Sequence, residues 1–325
     1  VMRSNSHKEI DHEVRYSTHA DLEELLPACI AMFTEEVGIS PTVNGGGSAY
    51  RNRISELVSG RRSFVKYLGS ELVFKAEVGT VGAGVAQIQG VWVKPEFRGQ
   101  GISVPAMAAV VKLIMADLAP EIQRQGIRVV ANAGGVNPGA CAEALRIRLE
   151  SLGISMRIAV VDGDDLSDQI DRLRSEGLRE MFTGEALPEK LLSANAYLGA
   201  QPIAAALSRG ADIVITGRVV DSAVTLGPLV HEFGWSWTDW DKLACGSLAG
   251  HVIECGTQCT GGLFTDWEQV PGWDNMGFPI VECDELGQHF VLTKPSGTGG
   301  LVTPATVAEQ IVYEIADPTC YELPD

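Results

Sequence analysis

Val91-Trp92-Val93-Lys94-Pro95-Glu96-Phe97-Arg98-Gly99-Gln100-Gly101-Ile102-Ser103 runs straight into the apolar stretch Val104–Met115. A short apolar run, a loop with two glycines and then a helical pattern read as strand, loop and helix. A second unit of the same kind follows, Ile127–Ala131 and then Asn132-Ala133-Gly134-Gly135-Val136-Asn137-Pro138-Gly139-Ala140-Cys141. In both, small residues stand where backbone N–H groups at a helix start are free to hold an anion. The relation between these two units decides the fold.

The 325 residues are enough for two domains with buried cores. Formal net charge is −17, and it is unevenly spread: residues 1–111 carry 11 Lys and Arg against 12 Asp and Glu, residues 112–325 carry 14 against 30. An acidic body disfavours nucleic acid and anionic membrane, both of which need neutralising cations. No apolar run approaches the roughly 20 residues of a membrane span. Seven cysteines at irregular spacing, with no secretory leader, point to reduced thiols in a cytoplasmic protein.

Upstream of the first unit, Val1–Arg15 is polar and aperiodic, and residues 1–14 are expected to be a disordered lead. From Thr18 the apolar residues Leu22, Leu25, Leu26, Cys29, Ile30, Met32 and Phe33 recur at helical spacing, with Pro27 as a kink or break. Asn44–Ser48 reads as a loop and Tyr50–Val58 as a short helix with Ile54 and Leu57 inward. Ser63–Leu68 and Leu72–Val78 form a hairpin about Gly69-Ser70, and Gln87–Val93 is a third strand.

This order, together with Arg98-Gly99-Gln100-Gly101-Ile102-Ser103, resembles the GCN5-related N-acetyltransferase (GNAT) superfamily over roughly residues 15–111. That family's acetyl-CoA loop reads Arg/Gln-x-x-Gly-x-Gly/Ala, and Ser103 departs from its last position while staying small. The resemblance implies an α+β partial acetyltransferase fold. Acetyl-CoA would be held by Arg98, Gly99, Gln100, Gly101, Ile102 and Ser103, and its pantetheine arm by backbone groups of Val91 and Val93. The family's closing helix, with an Asn and a thiolate-protonating Tyr, has only a partial counterpart: Asn137 and Ala140 fit, the Tyr position is Ala144, and the glycine is displaced to Gly153. Gln89, Glu77 and Glu96 are candidates for a polar catalytic role, the two acids as general bases, but strand and loop polars facing water are the favoured reading.

From about Lys112 strands and helices alternate: Ile127–Ala131 with Ala140–Leu152, Arg157–Val161 with Leu166–Arg174, then Pro202–Arg209, Ile213–Thr216 and Ser222–Phe233. That rhythm belongs to a mainly parallel sheet with flanking helices. The segments Val129–Pro138, Ala159–Asp165, Ser193–Ala200, Ala211–Ala223, Leu248–Gly262 and Lys294–Glu314 resemble the acyclic terpene utilisation (AtuA) family across 112–325. That resemblance implies catabolism of terpenoid or branched acids, carried as acyl-CoA intermediates. Both families extend beyond the pieces seen here, so the chain reads as a fused or chimeric protein with its join near residue 112. The alternative function is acetyl-CoA-dependent N-acetyl transfer, impaired by loss of the transferase's C-terminal part. Ile102–Leu118 is expected to form one helix across the join, with Pro105 in its first turn. Ile127–Ala131 is then expected to lie beside Val91–Val93.

Ligands of a parallel sheet bind outside the carboxyl ends of its strands. The candidates there are Asn132, Gly134, Gly135 and Asn137 as an anion cradle, and Asp162, Asp164 and Asp165 as oxygen ligands or hydroxyl-orienting acids. Arg218, beside Asp221, is a carboxylate or phosphate clamp. Gly297, Thr298, Gly299 and Gly300, before the helix Thr303–Ile315, form a further glycine loop. Helix capping, tight turns and an Arg218–Asp221 ion pair are the competing structural roles of the same residues. His251-x3-Cys255-x3-Cys259 lacks a fourth ligand and zinc spacing, so no metal is assigned. The spaced Trp235, Trp237 and Trp240 read as packing. The expected ligand is a small anionic or CoA-linked molecule, with self-association left open.

Overall fold

The computed structural model describes residues 11–82, 85–135, 137–191 and 193–325. The first sheet is antiparallel, in order β1 (Arg15–Tyr16), β2 (Ser63–Leu68), β3 (Glu71–Gly82), β4 (Val85–Val93). β2 and β3 form the expected hairpin, turning at Gly69 with φ 63°. One face of the sheet presents Val65, Leu72 and Trp92 to Leu25, Cys29, Ile54 and Leu57 of α1 (Leu22–Val37) and α2 (Gly47–Ser59). Pro27 stays inside α1 without splitting it. The stretch expected as a loop is a 3-10 turn at Val43–Gly45, and α2 begins at Gly47.

The other face presents Phe64, Phe74, Ala76 and Val78 to α3 (Ser103–Gln125). This helix crosses the expected join without a break and continues beyond Leu118 to Gly126, whose φ of 66° ends it. Pro120 forfeits only one backbone bond. Its neighbours Ala119 and Ile122 are buried, so packing holds the turn together.

α3 then packs its second side on α4 (Pro138–Ser151). Ala109, Val110 and Met115 of α3 share one apolar core with Phe64 and Phe74 on one side, and with Cys141, Leu145 and Leu149 on the other. Ile213 and Ile215 of β7 (Ile213–Thr216) close that core. Residues on both sides of the expected join are therefore built around a common interior.

The second sheet is parallel, in order β5-β7-β6, with β5 at Val129–Ala131 and β6 at Ile158–Val161. The expectation that β5 extends the first sheet beside Val91–Val93 is overturned. β5 pairs with β7, Val129 opposite Ile213, while β4 ends the antiparallel sheet. The reason lies in β7, whose Ile213, Val214, Ile215 and Thr216 are all buried and supply a central strand. α3 and α4 fill the space between the sheets.

A second core gathers Ile203 and Leu207 of α6 (Gln201–Ser208), Leu226 and Val230 of α7 (Ala223–Phe233) and Leu243 of α8 (Trp240–Ile253) around Val161 and Val214. α5 (Ile170–Ser175) follows β6. A hairpin of β8 (Ile280–Cys283) and β9 (Phe290–Thr293), absent from the sequence reading, precedes α9 (Pro304–Ile315).

Part of the expected disordered lead belongs to the fold. Val14 is buried, and Asp11 is ion-paired to Lys66. Residues 1–10 lie outside the described residues. Among the described residues no helix is long and apolar enough to cross a membrane.

Candidate functional site

Two places gather the expected residues. The first is the Arg98–Ser103 loop. Val91, Val93, Arg98, Gly99, Gly101, Ile102 and Ser103 line a cleft of about 430 Å3 between the end of β4, the start of α3 and Met32 and Glu35 of α1. Gly99 and Gly101 have φ of 73° and 76°, a conformation costly for residues with a side chain. No side chain caps α3, whose first turn faces this loop. Arg98 is held from both sides: its Nε donates to the Val93 carbonyl at 2.9 Å and its Nη2 to Glu35 Oε2 at 2.7 Å. Gln100 is not part of the lining and donates to the Glu96 carbonyl at 2.9 Å.

The three residues weighed for a polar catalytic role separate. Glu96 is exposed, and the Gln89 side chain lies outside the described residues. Glu77 does not face water: it is 3% exposed and accepts from the equally buried Lys75 Nζ at 2.5 Å and from the Cys29 thiol at 3.2 Å. Burial, then the Glu77 charge, pushes the Cys29 thiol up to about 12. A β3–β4 register shift brings Lys75 and Glu77 under Gly90, which has φ 57°. The pair is buried in the core.

The second place is the carboxyl rim of the parallel sheet, where the three strand-end loops meet as expected. Asn132, after β5, donates from Nδ2 to Asp221 Oδ1, after β7, at 3.2 Å. Asp164, after β6, is 4% exposed and accepts from the Arg218 backbone N–H at 3.0 Å and from Asn195 Nδ2 at 2.8 Å. Asp164 is thus a brace between loops. Asp165 accepts from the Ser167 backbone N–H at 2.9 Å, and Asp162 lines a separate groove along the outer side of β6. Among the described residues these three aspartates do not form a cluster of ligand atoms.

Asn132, Gly134, Gly135 and Asn137, expected as an anion cradle, take part in a turn and a helix cap. Asn137 caps α4, accepting from the Ala140 backbone N–H at 3.0 Å, and the N–H of Asn137 donates to the Gly134 carbonyl at 3.0 Å. Gly135 turns the chain with φ 53° and donates its N–H to the Asn132 carbonyl at 3.4 Å. Gly134 is needed for closeness: an added Cβ would lie 2.4 Å from the Thr216 carbonyl oxygen.

The later glycine loop is likewise internally engaged. Lys294 Nζ donates to the Thr298 carbonyl at 2.7 Å, and the Thr298 hydroxyl to the Pro295 carbonyl at 2.6 Å. The Gly299 N–H donates to the Asn275 carbonyl at 2.7 Å, and that of Gly300 to the Pro271 carbonyl at 2.7 Å. Gly297 turns the chain with φ 78°. The start of α9 is capped by Thr303, which accepts from the Thr306 N–H at 3.2 Å.

What the rim does offer is Arg218, Asp221 and a cluster behind them. Arg218 is exposed, its guanidinium 5.7 Å from the centre of the Tyr197 ring. Asp221 is raised above the ordinary carboxylate range by desolvation and by the Glu314 charge, with Arg218 opposing. Next to it, Glu254 follows α8 and Glu314 ends α9. The Cys255 thiol donates to Glu314 Oε1 at 3.0 Å. Burial, then the hydrogen bond to Glu314 and the Asp221 charge, push Glu254 up to about 9. The same burial and Glu314 raise the Cys255 thiol to about 12. His251, expected on a face of buried thiols, is 3% exposed, contacts the Ser247 carbonyl through Nδ1 at 2.7 Å and meets the Tyr321 hydroxyl through Nε2.

Glu254 and Glu314 were missed by sequence reasoning. Each stands alone among apolar neighbours, in Val252-Ile253-Glu254-Cys255 and Val312-Tyr313-Glu314-Ile315. An acid in such company is the signal that can find them.

The model of the family described as acyclic terpene utilisation family protein AtuA matches residues 107–325, more than half of the chain. The chain belongs to the acyclic terpene utilisation family. The matched region starts within α3, so this family member shares its first helix with the antiparallel sheet. The rim and the acidic cluster both fall inside the matched region. No curated protein matches. Among solved structures, a GCN5-related N-acetyltransferase from Kribbella flavida aligns at 23% identity and TM-score 0.26, over 35% of this chain and 29% of that one. An acetyltransferase of the GNAT family from Colwellia psychrerythraea aligns at 16% identity and TM-score 0.23, over 36% and 37%. The chain thus spans well under half of either structure.

Proposed function

We propose that residues 107–325 act in the catabolism of terpenoid or branched acids, binding the acid as a CoA-linked intermediate at the carboxyl rim of β5-β7-β6. Arg218 carries this reading: its guanidinium is exposed at the rim, stacked beside Tyr197, and free to take a carboxylate or phosphate bidentately. Asp221, accessible and raised in pKa, is the acceptor for a proton taken from the bound acyl group. Asn132 fixes the Asp221 carboxylate through Oδ1, and Glu254 is hydrogen-bonded to the same carboxylate. Calorimetric titration of the full chain with a branched acyl-CoA, against acetyl-CoA and the free acid, tests it. Arg218→Ala is expected to weaken binding about tenfold or more. Equal binding by wild type and variant overturns the reading.

A second reading, acetyl-CoA-dependent N-acetyl transfer, is favoured by one observation: the cleft at Arg98–Ser103, with its two left-handed glycines and uncapped helix start. Under this reading cofactor binding survives and turnover is impaired, since Ala144 stands at the position of the thiolate-protonating Tyr. Acetyl-CoA added to the chain separates the two readings, because the branched acyl-CoA competes with it only if both use one site.

A further inference from the structure

Glu254, Cys255 and Glu314 place one ligand atom each within 4.8 Å of one another. Glu254 and Cys255 come from the chain just after α8, Glu314 from the last turn of α9, so two packed helices fix the spacing. Carboxylate oxygens and a thiol sulfur facing each other need something positive between them, a shared proton or a cation. One further feature favours the cation. Gln310, one helical turn before Glu314, has no exposed surface. Its amide lies against the Cys255 thiol and donates through Nε2 to the His251 carbonyl at 2.8 Å, while its Oε1 has no partner. An orphan buried acceptor of this kind costs about 1–3 kcal/mol. A water on a bound cation is a donor suited to it.

We propose that Glu254, Cys255 and Glu314 bind a divalent transition metal of the zinc class, with Gln310 orienting a water in the remaining position. One thiolate and two carboxylates select borderline-soft ions over magnesium or calcium, which take all-oxygen sites. Three protein ligands leave a coordination position open, the arrangement of zinc sites that hold a water or substrate. Binding releases the thiol proton to solvent as the metal–sulfur bond forms. The site borders Asp221 and does not depend on which acyl group the rim accepts.

The test uses the full chain, stripped with a chelator and titrated with Co2+ under reducing conditions. A saturable thiolate-to-cobalt charge-transfer absorption, abolished by Zn2+, is expected. It should vanish in Cys255→Ser and need about tenfold more Co2+ in Gln310→Ala. Zn2+ should raise the melting temperature of wild type and leave that of Glu314→Gln unmoved. Absence of the absorption overturns the proposal, as does its persistence in Cys255→Ser, which would place the ion on other thiols. Neither outcome bears on acyl-CoA binding, which is measured separately.

Discussion

The Tyr16 hydroxyl donates to Asp117 Oδ2 at 3.0 Å, fastening the first strand of the antiparallel sheet to the middle of α3. Tyr16 and Asp117 fall on either side of the expected join, and beneath them Phe64, Ala109 and Leu145 share one core. The two sheets should therefore unfold together. Calorimetry is expected to give a single endotherm, and Leu145→Ala should lower the stability of the whole chain by about 2–5 kcal/mol. Two resolved endotherms, only one of them moved by the substitution, would separate the sheets.

The same tyrosine predicts an alkaline signature. Burial, then the hydrogen bond to Asp117 and its charge, push Tyr16 up to about 12 from the usual 10. With the folded value raised, its stabilisation is complete below pH 10 and is lost as the pH climbs from 10 to 12, where only the unfolded chain ionises readily. Tyr16→Phe should remove part of that decline. Part will persist, because Tyr67 is raised to about 12 as well, chiefly by burial. Chemical denaturation at steps across pH 9–12 reads the difference in slope, and parallel curves for the two proteins would contradict it.

The elements that the sequence revealed best are those whose signals are local. The β2–β3 hairpin follows from alternation around Gly69-Ser70, and α3 from an apolar run with no glycine before Gly126. The pairing of β5 was not legible, because Val129 finds Ile213 rather than a strand near it in sequence. Periodicity names a strand but not its neighbour. The site divides the same way. Arg98–Ser103 and the rim loops lie at strand ends that the pattern exposes. Cys255 and Glu314 are 59 positions apart and meet only because α8 and α9 pack. Asp164 looked like a ligand, since its type fits a cation site; only burial against Arg218 and Asn195 reveals a brace.

That brace makes Gly217 a sensitive position. A Cβ on Gly217 would lie 2.2 Å from Asp164 Oδ1 and 2.9 Å from Oδ2, and the buried, doubly bonded carboxylate has no room to retreat. Gly217→Ala should push Asp164 off the Arg218 N–H and the Asn195 amide, at a cost of about 1–3 kcal/mol per polar group left unsatisfied. Thermal unfolding should show the loss, and acyl-CoA titration a weakened rim, because the displaced loop carries Arg218. An unchanged melting temperature would mean that the loops tolerate the extra atom.

Arg98 supplies the sharpest test of the antiparallel sheet. Its guanidinium bridges the Val93 carbonyl and Glu35, so a pyrophosphate entering the cleft must share or displace the Glu35 contact. Both partners of that ion pair are nearly half exposed, at 46% and 48%. Such pairs contribute about 0–1 kcal/mol. Glu35→Gln should therefore raise acetyl-CoA affinity, but by no more than about fivefold. Arg98→Ala removes a cation from the pyrophosphate and should weaken binding by a larger factor. Opposite effects of the two variants in calorimetric titration identify the cleft as the acetyl-CoA site. If wild type and both variants bind no acetyl-CoA, the transferase reading falls, and the antiparallel sheet is left as a packing partner for α3.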